Sequence, residues 1–176
     1  MHVVFVGAMG SGKTTIGRRV AVALDRPFVD NDELLQRTTG CTAAELERRD
    51  GIDALHRAEA AVLLDALGAT QPSVIAAAAS TIADRAVRAA IEECAWVAWL
   101  RAAPESLVVR LPGSAVRPFA GRDPTQLVRE QAREREHLFA AAADATFATD
   151  TGDIEGVVAQ VLEQFRTGSG GVHDTG

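Results

Sequence analysis

The sequence predicts an α/β fold: one three-layer domain, with helices on both faces of a five-stranded parallel sheet. Three observations carry this. Apolar runs at 3–6, 73–79 and 95–100 show no polar alternation, as in strands covered on both faces. Helical patterns lie between them, so strand and helix alternate along the chain. The first run also leads into Gly7-Ala-Met-Gly-Ser-Gly-Lys-Thr14, a G-x-x-x-x-G-K-[ST] phosphate-binding loop, which requires a strand before it and a helix after it.

Residues 3–6 are the first strand, and the helix after the loop runs to about Asp25, with Ile16, Val20 and Leu24 on one face. Residues 27–30 form a second short strand, ending in Asp30, Asn31 and Asp32. A helical pattern from Glu33 stops near Gly40, and Thr42 with Glu45 is a capping box for the next short helix. Beyond Gly51 a longer helix spans 53–67, its inner stripe at Leu55, Ala58, Val62 and Leu67. Residues 73–79 are the third strand, 81–93 a helix, and 95–100 the fourth strand. Pro104 opens a helix to about Arg110, at a position where its missing N–H costs nothing. The segment 111–123 has no periodicity and holds Pro112, Gly113, Pro118 and Gly121, so it is expected to be a functional loop, a lid at about 112–123. Asp123 and Pro124 start a long helix to about Ala143; 145–149 is the fifth strand and 154–165 the closing helix. Residues 1–166 are therefore one domain, and the glycine-rich 167–176 reads as a disordered tail.

At 176 residues the chain is long enough to bury about 70% of its unfolded surface without staples. The net charge of −6, with no basic run, argues against nucleic acid as a partner, although basic pocket residues can still bind small anions. The two cysteines, Cys41 and Cys94, supply neither a disulfide framework nor a metal spacing and are expected to be reduced and buried. The first residues read as strand and loop rather than a signal sequence, and no apolar stretch approaches the roughly 20 residues that span a bilayer. A cytoplasmic protein, a monomer with no membrane partner, is expected.

The loop glycines let backbone N–H groups turn onto phosphates, and the helix N-terminus adds its positive end. Lys13 then reaches the β- and γ-phosphates, and the Thr14 hydroxyl ligates Mg²⁺. Asp30 and Asp32 fall just past the second strand, where open parallel sheets bind ligands; they suit a metal shell and a substrate hydroxyl, or else a solvated turn. Arg117, in the glycine- and proline-rich loop, is suited to close over the γ-phosphate.

These residues together resemble the shikimate kinase family, from about Val3 to Phe165. Phe28-x-Asp30-x-Asp32 matches its F-x-D-x-D. Val97-Ala-Trp99-Leu100, with Leu107 and Arg110, matches its fourth strand and following helix. Arg117-Pro118-Phe119 is similar to the lid's R-P-L, and Arg135-x-x-Leu138-Phe139 to R-x-x-L-Y. The resemblance implies a P-loop kinase fold of nucleoside-monophosphate-kinase-like type, with ATP and Mg²⁺ as cofactors. It implies that Gly10, Ser11, Gly12, Lys13, Thr14 and Thr15 hold the phosphates, and that Lys13 and Arg117 clamp the γ-phosphate. Thr14 and Asp30 resemble the Mg²⁺ shell. Asp32 resembles the residue that binds the substrate hydroxyls and assists the attacking one. Arg135 resembles a carboxylate-binding arginine, and Arg110 with the loop near Asp153 an adenine neighbour.

Three departures fall in the acceptor pocket. The family pattern G-E-x-x-F-R-x-x-E meets Gly51-Ile-Asp-Ala-Leu-His-Arg-Ala-Glu59, so Ile52 replaces a glutamate and His56 stands where a second carboxylate-binding arginine is expected. Arg57 is one residue late, about 100° round the helix, and cannot simply substitute; His56 and Arg57 both remain candidate substrate-binding residues. The third departure is Ala78-Ala79-Ser80 in place of three glycines, each added Cβ filling space near the substrate. The expectation is a kinase that moves the ATP γ-phosphoryl group to a hydroxyl of shikimate or a related small hydroxylated acid, with shikimate bound weakly. The rivals are a kinase for a different polyol or sugar acid and a non-catalytic ATP-binding protein. The complete set Lys13, Asp30, Asp32 and Arg117 argues against the latter.

Overall fold

β1 (His2–Val6) is the middle strand of the sheet, which explains why its residues are apolar on both faces: all five are buried. Val3 and Phe5 face one apolar layer, Val4 and Val6 the other. In this computed structural model, which describes residues 1–110 and 124–169, the strand order is β2-β3-β1-β4-β5, where β2 is Phe28–Asp30, β3 Val74–Ala76, β4 Ala95–Arg101 and β5 Ala145–Ala148. All neighbours are parallel. The helices are α1 (Lys13–Ala23), α2 (Asn31–Thr39), α3 (Ala43–Asp50), α4 (Ile52–Leu67), α5 (Arg85–Cys94), α6 (Pro104–Arg110), α7 (Pro124–Ala142) and α8 (Ile154–Ser169). α1 and α8 cover one face of the sheet, through Ile16, Val20, Val161 and Phe165. α4, α5 and α7 cover the other, through Leu63, Val87, Ile91 and Phe139. A smaller cluster of Leu35, Leu46, Leu55 and Val62 ties α2 and α3 to α4.

The caps follow the sequence closely. Thr42 and Glu45 form the expected capping box of α3. Asp30 caps α2, its Oδ1 accepting from the Asp32 backbone N–H at 3.0 Å. Three elements differ from expectation. β3 ends at Ala76 instead of 79: Ala77 still donates to the Phe5 carbonyl at 3.1 Å, after which the chain leaves the sheet. The helix expected over 81–93 is divided into a 3-10 turn at Thr81–Ala83 and α5, because Asp84 is extended and caps α5 by accepting from Ala86 and Val87. α8 continues to Ser169, three residues into the expected tail. Phe165 packs edge-on against Trp96 with ring centroids 5.5 Å apart, and the Arg26 guanidinium lies over its ring, so the last turn is anchored. The expected lid at 112–123 and the tail beyond 169 lie outside the described residues. Cys41 and Cys94 are free and half-buried, less enclosed than expected. Among the described residues, no helix is long and apolar enough to cross a membrane.

Candidate active site

The carboxyl ends of the parallel strands open into a cavity of about 550 Å³. Its floor is the phosphate loop after β1. Gly7 (φ 142°) and Gly12 (φ 96°) hold positive φ there, and a Cβ on Gly7 would come within 2.5 Å of the Leu100 carbonyl oxygen. Gly12 caps α1, directing that helix's free N–H groups toward the cavity. Lys13 donates to the Gly7 and Ala8 carbonyls at 2.8 and 2.9 Å, folded back along the rim of its own loop.

Burial pushes the Lys13 ammonium down to about 8, against the pull of Asp32 and then Asp30 toward the charged form. A lysine whose folded pKa lies below its ordinary 10.5 penalises the fold while charged, and that penalty disappears as pH rises from about 8 to 10.5. Phosphate binding has the opposite effect, since it favours the ammonium. ATP binding above pH 8 is therefore expected to take up a proton, and ATP affinity to fall by up to about tenfold per pH unit there. Calorimetric titrations at pH 7.5 and 9.5, each in two buffers of different ionisation enthalpy, measure this. No proton uptake at the higher pH would refute it.

Asp30, at the end of β2, accepts from the Thr14 hydroxyl through Oδ2 at 2.7 Å. This pair brings together two hard oxygen ligands beside the phosphate loop, a donor set that fits Mg²⁺, which binds few protein oxygens and takes the rest from phosphates and water. Asp32, in the first turn of α2, lines the same cavity, as do Gly10, Ser11 and Thr15. On the opposite rim Arg110 donates to the Thr149 carbonyl at 2.6 Å and to its hydroxyl at 3.3 Å. Asp153 caps α8 by accepting from Gly156 N–H at 2.9 Å. Both residues line the cavity.

The remaining wall comes from α4, α7 and the turn after β3. Phe139 of α7 stacks on Trp99 of β4, with centroids 6.1 Å apart. One turn earlier on the same helix face, Arg135 reaches the cavity, while Glu136 turns away to pair with exposed Arg101 at 2.8 Å. Ile52, His56 and Glu59 line the cavity from α4. Arg57 does not: it is exposed, rotated about 100° from His56. Of the two substrate-binding candidates at 56 and 57, the cavity lining includes His56 alone. Ala78, Ala79 and Ser80 line the cavity without positive φ, so no glycine conformation is demanded of them. The Ser80 hydroxyl donates to Glu59, a carboxylate only 1% exposed.

Glu59 and Asn31 were not among the expected site residues. Glu59 had a readable signal, since it falls one turn after Leu55 on the buried face of α4, where an acidic side chain needs a partner. Asn31 had none. Arg117 lies outside the described residues.

The profile of one family, shikimate kinase, matches residues 9–166. A shikimate kinase of Symbiobacterium thermophilum is 37% identical over 169 residues, covering 94% of this chain and 97% of the relative. One of Burkholderia pseudomallei is 33% identical over 166 residues, covering 94% and 90%. Among solved structures, shikimate kinase from Acinetobacter baumannii in complex with shikimate superposes with a TM-score of 0.88 at 26% identity, covering 98% of this chain and 95% of that one.

Proposed function

This chain belongs to the shikimate kinase family, and from that premise we infer that its cavity transfers the γ-phosphoryl group of ATP to a hydroxyl of shikimate. The observation that carries the reading is one cavity that joins a complete phosphate loop to two carboxylates, Asp30 and Asp32, and to Arg135.

The loop amides and the α1 N-terminus would hold the β- and γ-phosphates, with Lys13 exchanging its loop carbonyls for phosphate oxygens. Thr14 and Asp30 would hold Mg²⁺, which when bound neutralises charge on the β- and γ-phosphate oxygens. Arg110 and Asp153 would border the adenine. Arg135 would meet the acceptor carboxylate, two N–H groups matching two oxygens, with His56 beside it as a second and weaker partner. Ala78, Ala79 and Ser80 would bound the acceptor ring. Asp32 would orient the attacking hydroxyl. As the oxygen bonds to the γ-phosphorus, the bond to the β–γ bridging oxygen breaks, ADP leaves, and the hydroxyl proton passes to Asp32 and on to solvent. Arg117 is assigned to the γ-phosphate from sequence. From its membership of the shikimate kinase family and its two free cysteines, we assign the protein to the cytoplasm.

The test is ADP release with shikimate, other hydroxy acids, sugars and nucleotides. Turnover is expected with shikimate, at a raised KM, because His56 brings one N–H toward the carboxylate where a guanidinium brings a planar pair. Efficient use of another hydroxy acid with none of shikimate would sink the acceptor assignment and leave the kinase assignment standing.

A further inference from the structure

We propose that the side-chain amide of Asn31 belongs to the acceptor site and pairs with a hydroxyl of the bound acceptor, an inference that rests on the reading of this cavity as a site for a hydroxylated acid. Asn31 is the first residue of α2, lines the cavity and is 1% exposed. Neither its Nδ2 nor its Oδ1 has a hydrogen-bond partner among the described residues. Buried amides are almost always paired, because leaving the group unpaired forfeits its hydration without return. An unpaired amide beside a ligand cavity therefore gains most when a ligand arrives.

Its position selects the acceptor half of the cavity. Asn31 and Leu35 lie one turn apart on one face of α2, and Leu35 is buried in the same cluster as Leu55 of α4. Asn31 thus lies along the seam with α4, the helix whose Ile52, His56 and Glu59 line the cavity. On either side of it, Asp30 is engaged with Thr14, and Asp32 lines the same cavity. The amide's chemistry narrows the ligand further. It offers a donor and an acceptor together, as a hydroxyl does, whereas a carboxylate or phosphate oxygen would leave Oδ1 unpaired. The amide torsion of asparagine is broad, so the group can turn from the floor toward the ligand.

The test compares wild type, Asn31→Leu and Asn31→Ala in three readouts: melting temperature without ligand, KM for shikimate and KM for ATP. Leucine keeps the heavy-atom branching of asparagine, with bulkier methyl groups, and removes the unpaired polar atoms. Asn31→Leu is therefore expected to melt no lower than wild type while its shikimate KM rises about tenfold or more, with ATP KM within about twofold. Asn31→Ala is expected to show the same split between substrates even if cavity loss lowers its melting temperature. An unchanged shikimate KM in both variants would overturn the proposal and mark the amide as a structural group. Equal rises in both KM values would do the same, since they report a distorted site. Wild-type turnover of shikimate is the control for the functional reading: without it, that reading and this inference both fall, whereas an active wild type with unaffected variants removes the inference alone.

Discussion

Lys13→Met is expected to lower kcat/KM for ATP by about 10²–10³, the usual loss when one preorganised charged donor is removed from a site that stabilises developing charge. The same change is expected to leave the melting temperature unchanged or raised. The Lys13 ammonium is disfavoured by burial in the free protein, with a pKa pushed down to about 8, so the fold does not depend on it. Its two hydrogen bonds go to carbonyls of the phosphate loop, whose course is set by Gly7 and Gly12 and by the start of α1. Turnover and thermal melting of the same preparation measure both halves. A variant as active as wild type would remove Lys13 from the phosphoryl-transfer machinery. A large drop in melting temperature would show that the lysine serves the fold instead.

Asp32→Asn is the second large effect. It keeps the shape of the side chain and removes the charge, and kcat is expected to fall by about 10²–10⁴, the range for losing a positioned proton acceptor. ATP KM should change little near neutral pH. A second readout separates this role from simple damage. Asp32 is the larger of the two carboxylate influences that raise the Lys13 pKa, so removing its charge must lower that pKa further. The pH at which ATP binding begins to take up a proton should therefore move down in Asp32→Asn. A full loss of kcat with no movement of that pH would place Asp32 far from Lys13 in charge coupling, against the geometry described above. Unchanged kcat would remove its assigned part in orienting the hydroxyl.

The nucleotide half of this site was legible because its parts are local. The phosphate loop is one continuous motif, its flanking strand and helix are set by neighbouring apolar residues, and Asp30 and Asp32 follow a strand that ends on the same side of the sheet as the loop. Periodicity also reports which face of a helix is apolar, which is why α1, α3 and α6 came out nearly as expected. It reports less about alanine-rich segments, where strand, turn and helix carry similar side chains. So β3 stops three residues early and the chain turns to line the cavity.

The acceptor half is different in kind. The bond that ties its wall together joins residues far apart in the chain, Ser80 to Glu59 across 21 positions. By itself the sequence determined the alternating sheet and the phosphate loop, since each follows from residue types at short spacing, while the class of reaction followed from the resemblance to a family. Only the tertiary structure decided that His56 faces the cavity while Arg57 faces solvent. It alone decided that Ser80 is tied to a buried Glu59, and that the Asn31 amide at the seam of α2 and α4 has no partner among the described residues. Those outcomes depend on how separate helices dock and on which polar groups then lose water, quantities set by the packed whole and carried by no single stretch of chain.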